Sequence, residues 1–339
     1  MQATRFYRAL LCALALVLAA ATTASAENYR WKIATLAPDG VGWARQVKLI
    51  LFPWLTEITH GEMNPKVYWG GVMGDDEDYV KKMRIGQLDG AGFSGQGVNL
   101  AVPEMSVLEL PFIFRDYDEV DYVKSKMRGA FDKLARENGY MLLAWIDQDF
   151  DQMYSVNWPL SKPEHFVKSR FLTWYGPLEE ALLRSLGARP IPVNVPEITA
   201  SIRQGVVDSS ISPAIWMVGA QLYSKVRYVN PVRIRYSPAV ILVTIKAWES
   251  LPQRHRQGIL ETRDETEVEF CVKVREENEK CLNAMIAYGV QKVEMTPDEV
   301  AWMKEATRPL WEQMAGELYP GETLEKLKAH LAEYRSKNH

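Results

Sequence analysis

The chain has 339 residues, 47% of them hydrophobic and 24% charged, which suits one or two globular domains around a sizeable core. A net charge of -3 gives no sign of nucleic-acid binding. Eleven tryptophans must be buried or must line a binding surface.

Residues 1–26 stand apart from the fold. Arg5 and Arg8 give a positive start, Ala9 to Ala21 an apolar run, and Ala24-Ser25-Ala26 a small-residue cleavage site. The run is too short for a membrane span, and Cys12 is badly placed for a lipoprotein cysteine. The mature chain is expected to begin at Glu27, exported to a bacterial periplasm. No later stretch is apolar enough to span a bilayer.

Tyr29 to Leu36 reads as the first strand, broken by Pro38-Asp39-Gly40. Trp43 to Thr59 is helical, with Trp43, Val47, Ile50, Trp54 and Ile58 mostly on one face. Pro65 to Tyr68 is a strand and Gly70 to Gly74 a loop. Asp75 caps the helix holding Tyr79, Val80 and Met83, and Ala91 to Ser94 is a strand running into Gly95-Gln96-Gly97. This strand–helix alternation predicts a doubly wound parallel sheet. A helix follows at Glu119 to Asn138. Met141 to Ile146 is a strand leading to Asp147-Gln148-Asp149-Phe150-Asp151, the expected crossing into a second lobe.

Phe171 to Trp174 opens a second alternation. Gly176-Pro177 stops it, and a helix carries Leu178, Leu182 and Leu186 to Gly187. Pro190 to Val195 is extended. A helix from Pro196 ends at Gly205, and Val206 to Ile211 is a strand. Ser212-Pro213 reads as cap and first residue of a helix over Ala214 to Tyr223. In such sheets ligands bind at the carboxyl ends of the strands, here the loops 173–177 and 209–213. Tyr236 to Ala247 crosses back, and Leu251-Pro252 opens a long helix to about Tyr288. Val290 to Met295 is a strand. Thr296, Pro297 and Glu299 make a capping box, and the remaining chain is charged and helical.

No catalytic or metal-ligand pattern emerges. There is no Gly-x-Ser-x-Gly elbow, no His-Glu-x-x-His, and no phosphate-cradling glycine spacing in Gly70 to Gly74 or Gly90 to Gly97. Asp147, Asp149 and Asp151 alternate like a calcium loop but lack its glycine turn and terminal Glu. Cys271 and Cys281 lie on one helix, about 15 Å apart, too far for a disulfide. A secreted hydrolase would need an activated nucleophile or a metal, and neither is in view.

Lys168-Ser169-Arg170, Leu186-Gly187-Ala188-Arg189-Pro190-Ile191-Pro192 and Arg203-Gln204-Gly205-Val206-Val207-Asp208 to Pro213 resemble the ligand-recognition segment of TRAP-transporter solute-binding proteins, the DctP family. Gly70 to Gly74, Gly86-Gln87-Leu88-Asp89 and Pro111-Phe112-Ile113-Phe114 extend the resemblance over residues 29 to about 300. It departs where the family's asparagine before proline is Ser212.

The resemblance implies an α/β periplasmic-binding-protein fold of two lobes. Each would hold a doubly wound, mainly parallel sheet, with the ligand between them and a long connecting helix. Lobe I is expected to comprise 27–147 and about 237–270. Lobe II would comprise 148–236 and about 271–318, with 319–339 a C-terminal extension.

The resemblance implies no enzyme activity, cofactor or metal. It makes Arg170 the ligand's carboxylate clamp, a role suited to a planar fork of donors. Ser212 lies at the same crevice. Trp43, Met73, Phe93, Ser94, Phe150, Trp174, Tyr175, Val195 and Trp216 map to cleft-facing positions, and Phe150 falls near where sugar-acid binders carry a second basic residue. Together they suggest a hydrophobic cleft. The expected partners are a small organic or lipidic ligand and a TRAP-type membrane permease. Gly70-Gly71-Val72-Met73-Gly74-Asp75 also resembles a subgroup with a helical-repeat periplasmic partner. A periplasmic lipid or sterol carrier on the same fold is the alternative.

Overall fold

Apolar runs at 141–146 and 236–247 predict two crossing strands; the first extends to 140–155, and the second starts earlier, at 228, and gives way to a helix after 244. The computed structural model describes residues 29–338, Tyr175 excepted. The expected leader, residues 1–26, lies outside the described residues. Nine strands form one sheet: β1 Lys32–Thr35, β2 Lys66–Tyr68, β3 Gly90–Ser94, β4 Tyr140–Ser155, β5 Arg170–Thr173, β6 Arg189–Pro192, β7 Ser209–Ser212, β8 Tyr228–Thr244 and β9 Gln291–Lys292. The order is β2-β1-β3-β8-β4-β7-β5-β6, with β9 on β8. β2, β1 and β3 are parallel at one end, and β7, β5 and β6 at the other. Between them β4 and β8 pair antiparallel along most of their length.

The α/β, two-lobed architecture is therefore present, with one difference. The two expected sheets are the two ends of a single sheet, because β4 and β8 run unbroken through both. The Asp147–Asp151 stretch, the expected crossing, is the middle of β4. Its alternating acids suggest solvent, but all of them are buried and their partners come from distant segments. Asp147 pairs with Lys124 and Arg275, Asp151 with Arg235, and Asp149 accepts from the Tyr117 hydroxyl at 2.5 Å. Register shifts at 142/144, 147/149 and 151/153 bend the ribbon here, and Asp149 sits at φ +131.

The helix Gln253–Tyr288 lies across β4 and reaches both ends of the sheet. Arg263 donates to the Leu142 carbonyl, and Asn278 accepts from the Ile215 N–H. The C-terminal segment 321–337 is a docked helix and not a frayed tail. Leu324, Leu327 and Leu331 are buried at helical spacing, and Arg335 grips Glu119 at 2.6 Å. Cys271 and Cys281 are free thiols.

Candidate ligand cavity

The cavity forms under the first long helical segment. Gly42–Gln46 and Phe52–Ile58 are α-helical and Val47–Leu51 between them is a π turn. Pro53 accounts for its position. A proline donates no hydrogen bond, so the Leu49 carbonyl four residues back loses its α-helical partner and the preceding turn widens. Val47 and Leu51 of that turn face the cavity. Ile33, Val67, Leu143, Ile146 and Val240 come from β1, β2, β4 and β8, and make the sheet wall. Trp174, after β5, and Trp216, after β7, close it from the other end, stacked at 5.5 Å and 25°.

The cavity spans about 1120 Å³, counting its solvent-open mouth. Trp31, Trp43, Trp54, Trp69, Trp174 and Trp216 all line it. Besides the indoles, Thr35, Asp76, Ser94 and Gln148 are its polar side chains, and no Lys or Arg lines it among the described residues. Trp54 Nε1 donates to Thr262 at 2.8 Å, whereas Trp31 Nε1 and Trp43 Nε1 have no protein partner.

Asp76 is the one acid in the wall. It begins the helix Asp76–Arg84, whose N-cap Asp75 accepts from the Asp76 N–H. Asp76 is 2% exposed. Its Oδ2 accepts from the Gly97 N–H at 3.1 Å, and Oδ1 has no partner. Burial, reinforced by the neighbouring Asp75 charge, holds this carboxyl well above the usual carboxylate range.

A buried ionic group fixes the Trp174 side of the cleft. Arg235, fully buried, bonds Asp151 at 2.6 Å and Glu179 at 2.9 Å. The other oxygen of Glu179 accepts from the Trp174 N–H at 2.9 Å, and Asp151 also accepts from Ser237. Nearby, burial pushes the Glu109 carboxyl up to about 8 despite the Arg235 charge. The two ends of the sheet touch across the cleft, where the Val195 N–H donates to Asp75 at 3.2 Å. The expected residues Trp43, Phe93, Ser94, Trp174 and Trp216 meet in this one cavity.

The model of the "Bacterial extracellular solute-binding protein, family 7", DctP, matches residues 51–317. This chain belongs to the DctP family. It is 28% identical over 338 residues to the C4-dicarboxylate-binding periplasmic protein DctP of Rhodobacter capsulatus, covering 97% of this chain and 99% of that one. A solute-binding protein of Chromohalobacter salexigens is 25% identical over 87% of both chains. A TRAP periplasmic solute-binding protein of Ralstonia eutropha, solved with (S)-2-acetolactate, superposes at TM-score 0.83 with 20% identity. It covers 90% of this chain and 99% of its own. The sugar-acid-binding protein of Advenella mimigardefordensis, solved with galactonate, gives TM-score 0.83 at 19% identity, over 91% of this chain and 99% of its own. DctP-family proteins are periplasmic solute-binding proteins of transport systems and not enzymes. Among the described residues no helix of this one is long and apolar enough to cross a membrane.

Other expected site residues of this DctP-family chain lie elsewhere. Arg170 is the first residue of β5, and its Nε pairs with Asp208 at 3.1 Å, outside the cavity. Two residues on, by strand alternation on the same face and nearer the carboxyl end, stands Leu172, buried and apolar. Phe150 is core, packed edge-on to Tyr236 at 5.8 Å and under Arg233 at 5.1 Å. Ser212 does not cap a helix. It ends β7, fully buried, and Pro213 holds the N-cap position without a side-chain bond. Met73 packs against the hydrophobic core around β3, and Val195 contributes its N–H to Asp75. Tyr175 lies outside the described residues. Sequence reasoning missed Trp31, Trp54, Trp69 and Asp76. The tryptophans carried a signal in their number alone, and Asp76 reads simply as a favourable acid in a first helical turn.

Proposed function

We propose that this protein captures a largely apolar ligand, with at most one polar end, and delivers it to a TRAP-type membrane permease. The observation that carries the reading is a tryptophan-rich cavity without a lining cation among the described residues. A carboxylate enclosed there would lose its hydration with no counter-charge, a cost of several kcal/mol. An apolar ligand would gain about 25 cal/mol for each Å² buried, or roughly 7 kcal/mol for ~300 Å² before the cost of association. That balance favours an amphiphile over the small acids held by the solved relatives.

The long strands β4 and β8 and the helix Gln253–Tyr288 would serve as the hinge. Lobe I is then 27–147 with about 237–270, and lobe II is 148–236 with about 271–318. Ligand that touches both lobes shifts the equilibrium toward closure. The Gly70-to-Asp75 resemblance supports a helical-repeat periplasmic protein as a further partner. A thermal-shift panel tests the ligand class, since binding to the folded state raises the melting temperature. Long-chain or polycyclic amphiphiles should raise it and succinate or sugar acids should not. Strong stabilisation by the small acids alone would overturn the proposal.

A further inference from the structure

The cavity explains an apolar body but leaves one carboxyl oxygen of its wall without a protein partner. Asp76 Oδ1 is buried in the wall while Oδ2 is held by the Gly97 N–H. Room for that contact is built in. A Cβ on Gly97 would lie 2.7 Å from Asp76 Cγ and 2.9 Å from Oδ2, so the glycine lets the carboxyl rest against the backbone. A buried polar atom without a partner is costly, and a ligand atom that meets it recovers that cost.

We propose that Asp76 is the polar anchor of the cavity and that its free oxygen donates a hydrogen bond to one uncharged oxygen, a ketone or a hydroxyl, of an otherwise apolar ligand. This inference rests on the apolar-ligand reading and narrows it. The direction of the bond follows from the contacts. In the neutral acid the oxygen that accepts from Gly97 is the carbonyl oxygen, which leaves the proton to Oδ1, the oxygen without a protein partner in the cavity wall. The charged groups around it are acidic: Asp75 and Asp78 at the same helix start, with no cation in the wall among the described residues. The buried Tyr79 hydroxyl, one turn along, has no partner and titrates above its ordinary range. The Gly97 N–H and the helix start favour the charged form, but burial outweighs them. The indole N–H groups of Trp31 and Trp43, residues of the same wall, likewise lack a protein partner.

The test uses the full mature chain and four ten-carbon probes followed by tryptophan fluorescence: 2-decanone, 1-decanol, decanoate and decylammonium. The ketone and the alcohol should bind at least tenfold tighter than the two ions. Asp76→Leu should weaken the ketone about tenfold, the worth of roughly 1.4 kcal/mol of hydrogen bond, and bring it level with decanoate. Asp76→Asn keeps an N–H donor at the same place and should hold ketone binding within about threefold. Wild-type affinity for the ketone should fall as the pH rises through the raised Asp76 range, and that of Asp76→Asn should not. Preference for decylammonium would show an ionised Asp76 and overturn the assignment. Equal ketone affinity in wild type and Asp76→Leu would also overturn it while leaving the apolar-ligand reading intact. The wild-type series decides even if Asp76→Leu fails to fold. Binding of none of the four probes would remove both readings together.

Discussion

Gly97→Ala and Gly129→Ala are the same chemical change in two helices, and the structure predicts opposite signs. Both glycines are helical, so alanine gains about 1 kcal/mol of propensity at either. At Gly129, exposed on Tyr117–Glu137, the added methyl meets nothing within 4 Å, and the full gain of about 1 kcal/mol should appear. At Gly97 it would lie 2.3 Å from Phe93 Cδ1, 2.7 Å from Asp76 Cγ and 2.9 Å from Asp76 Oδ2. Phe93 is a buried ring packed on Tyr79, so neither neighbour can swing into solvent. Overpacking of this kind costs about 1–3 kcal/mol. Displacing Asp76 from the Gly97 N–H costs about 1 kcal/mol more. The net expectation for Gly97→Ala is a loss of about 1–3 kcal/mol, with weaker ligand binding because the cavity wall moves. Urea denaturation of the two variants beside wild type measures both signs. A Gly97→Ala protein as stable as Gly129→Ala would refute the packing argument and the placement of Asp76 with it.

Arg170→Met should leave ligand affinity unchanged and cost no more than about 1 kcal/mol of stability, because the guanidinium is half exposed and Asp208 keeps the Arg170 N–H and Ser209 as partners; calorimetry and denaturation read the two parts. Glu109→Gln should flatten the pH dependence of stability. Burial raises the folded carboxyl to about 8, so the wild type binds a proton that the unfolded chain releases above about 4.3, and its stability falls by a few kcal/mol as the pH rises between those values. Denaturation curves at pH 5, 7 and 9 check this, and identical slopes for the two proteins would contradict it. Asp75→Ala should cost about 1 kcal/mol as a lost N-cap and release the Val195 N–H across the cleft. A larger radius of gyration in solution scattering and faster ligand release are expected.

Much of the fold was legible because it is local. Asp75 and Thr296 cap the helices they were expected to cap. The long helix starts just after Pro252, and the strand–helix alternation on either side of residue 150 is present. What the sequence hid depends on distant partners. Asp147, Asp149 and Asp151 alternate like a calcium loop, and their real partners, Lys124, Arg275, Tyr117 and Arg235, are brought to them only by the fold. Phe150 sits among these acids and looks placed for a ligand, yet it is held in the core by Tyr236 and Arg233. Arg170 matches its motif, but it stands at the start of β5, where Asp208 takes its guanidinium, and Leu172 holds the position nearer the cleft on the same face. Half of the cavity's six tryptophans were missed for a similar reason. Trp31, Trp54 and Trp69 come from separate elements, and only the tertiary structure places them together.

The central position of β8 also constrains how the molecule can assemble. β3 at residues 90–94 pairs on one side with β1, but its other edge is completed only by Ala239 to Val243, and β4 waits for the same strand. Neither end of the sheet can be finished until the chain has been made through residue 244. Contacts this distant in sequence make folding slow, since loop closure comes before their reward. Until then the edges of β3 and β4 are open templates for another chain. A chain that must leave the cytoplasm before it folds would benefit from that delay, and one overproduced without export would be exposed to aggregation at these two edges.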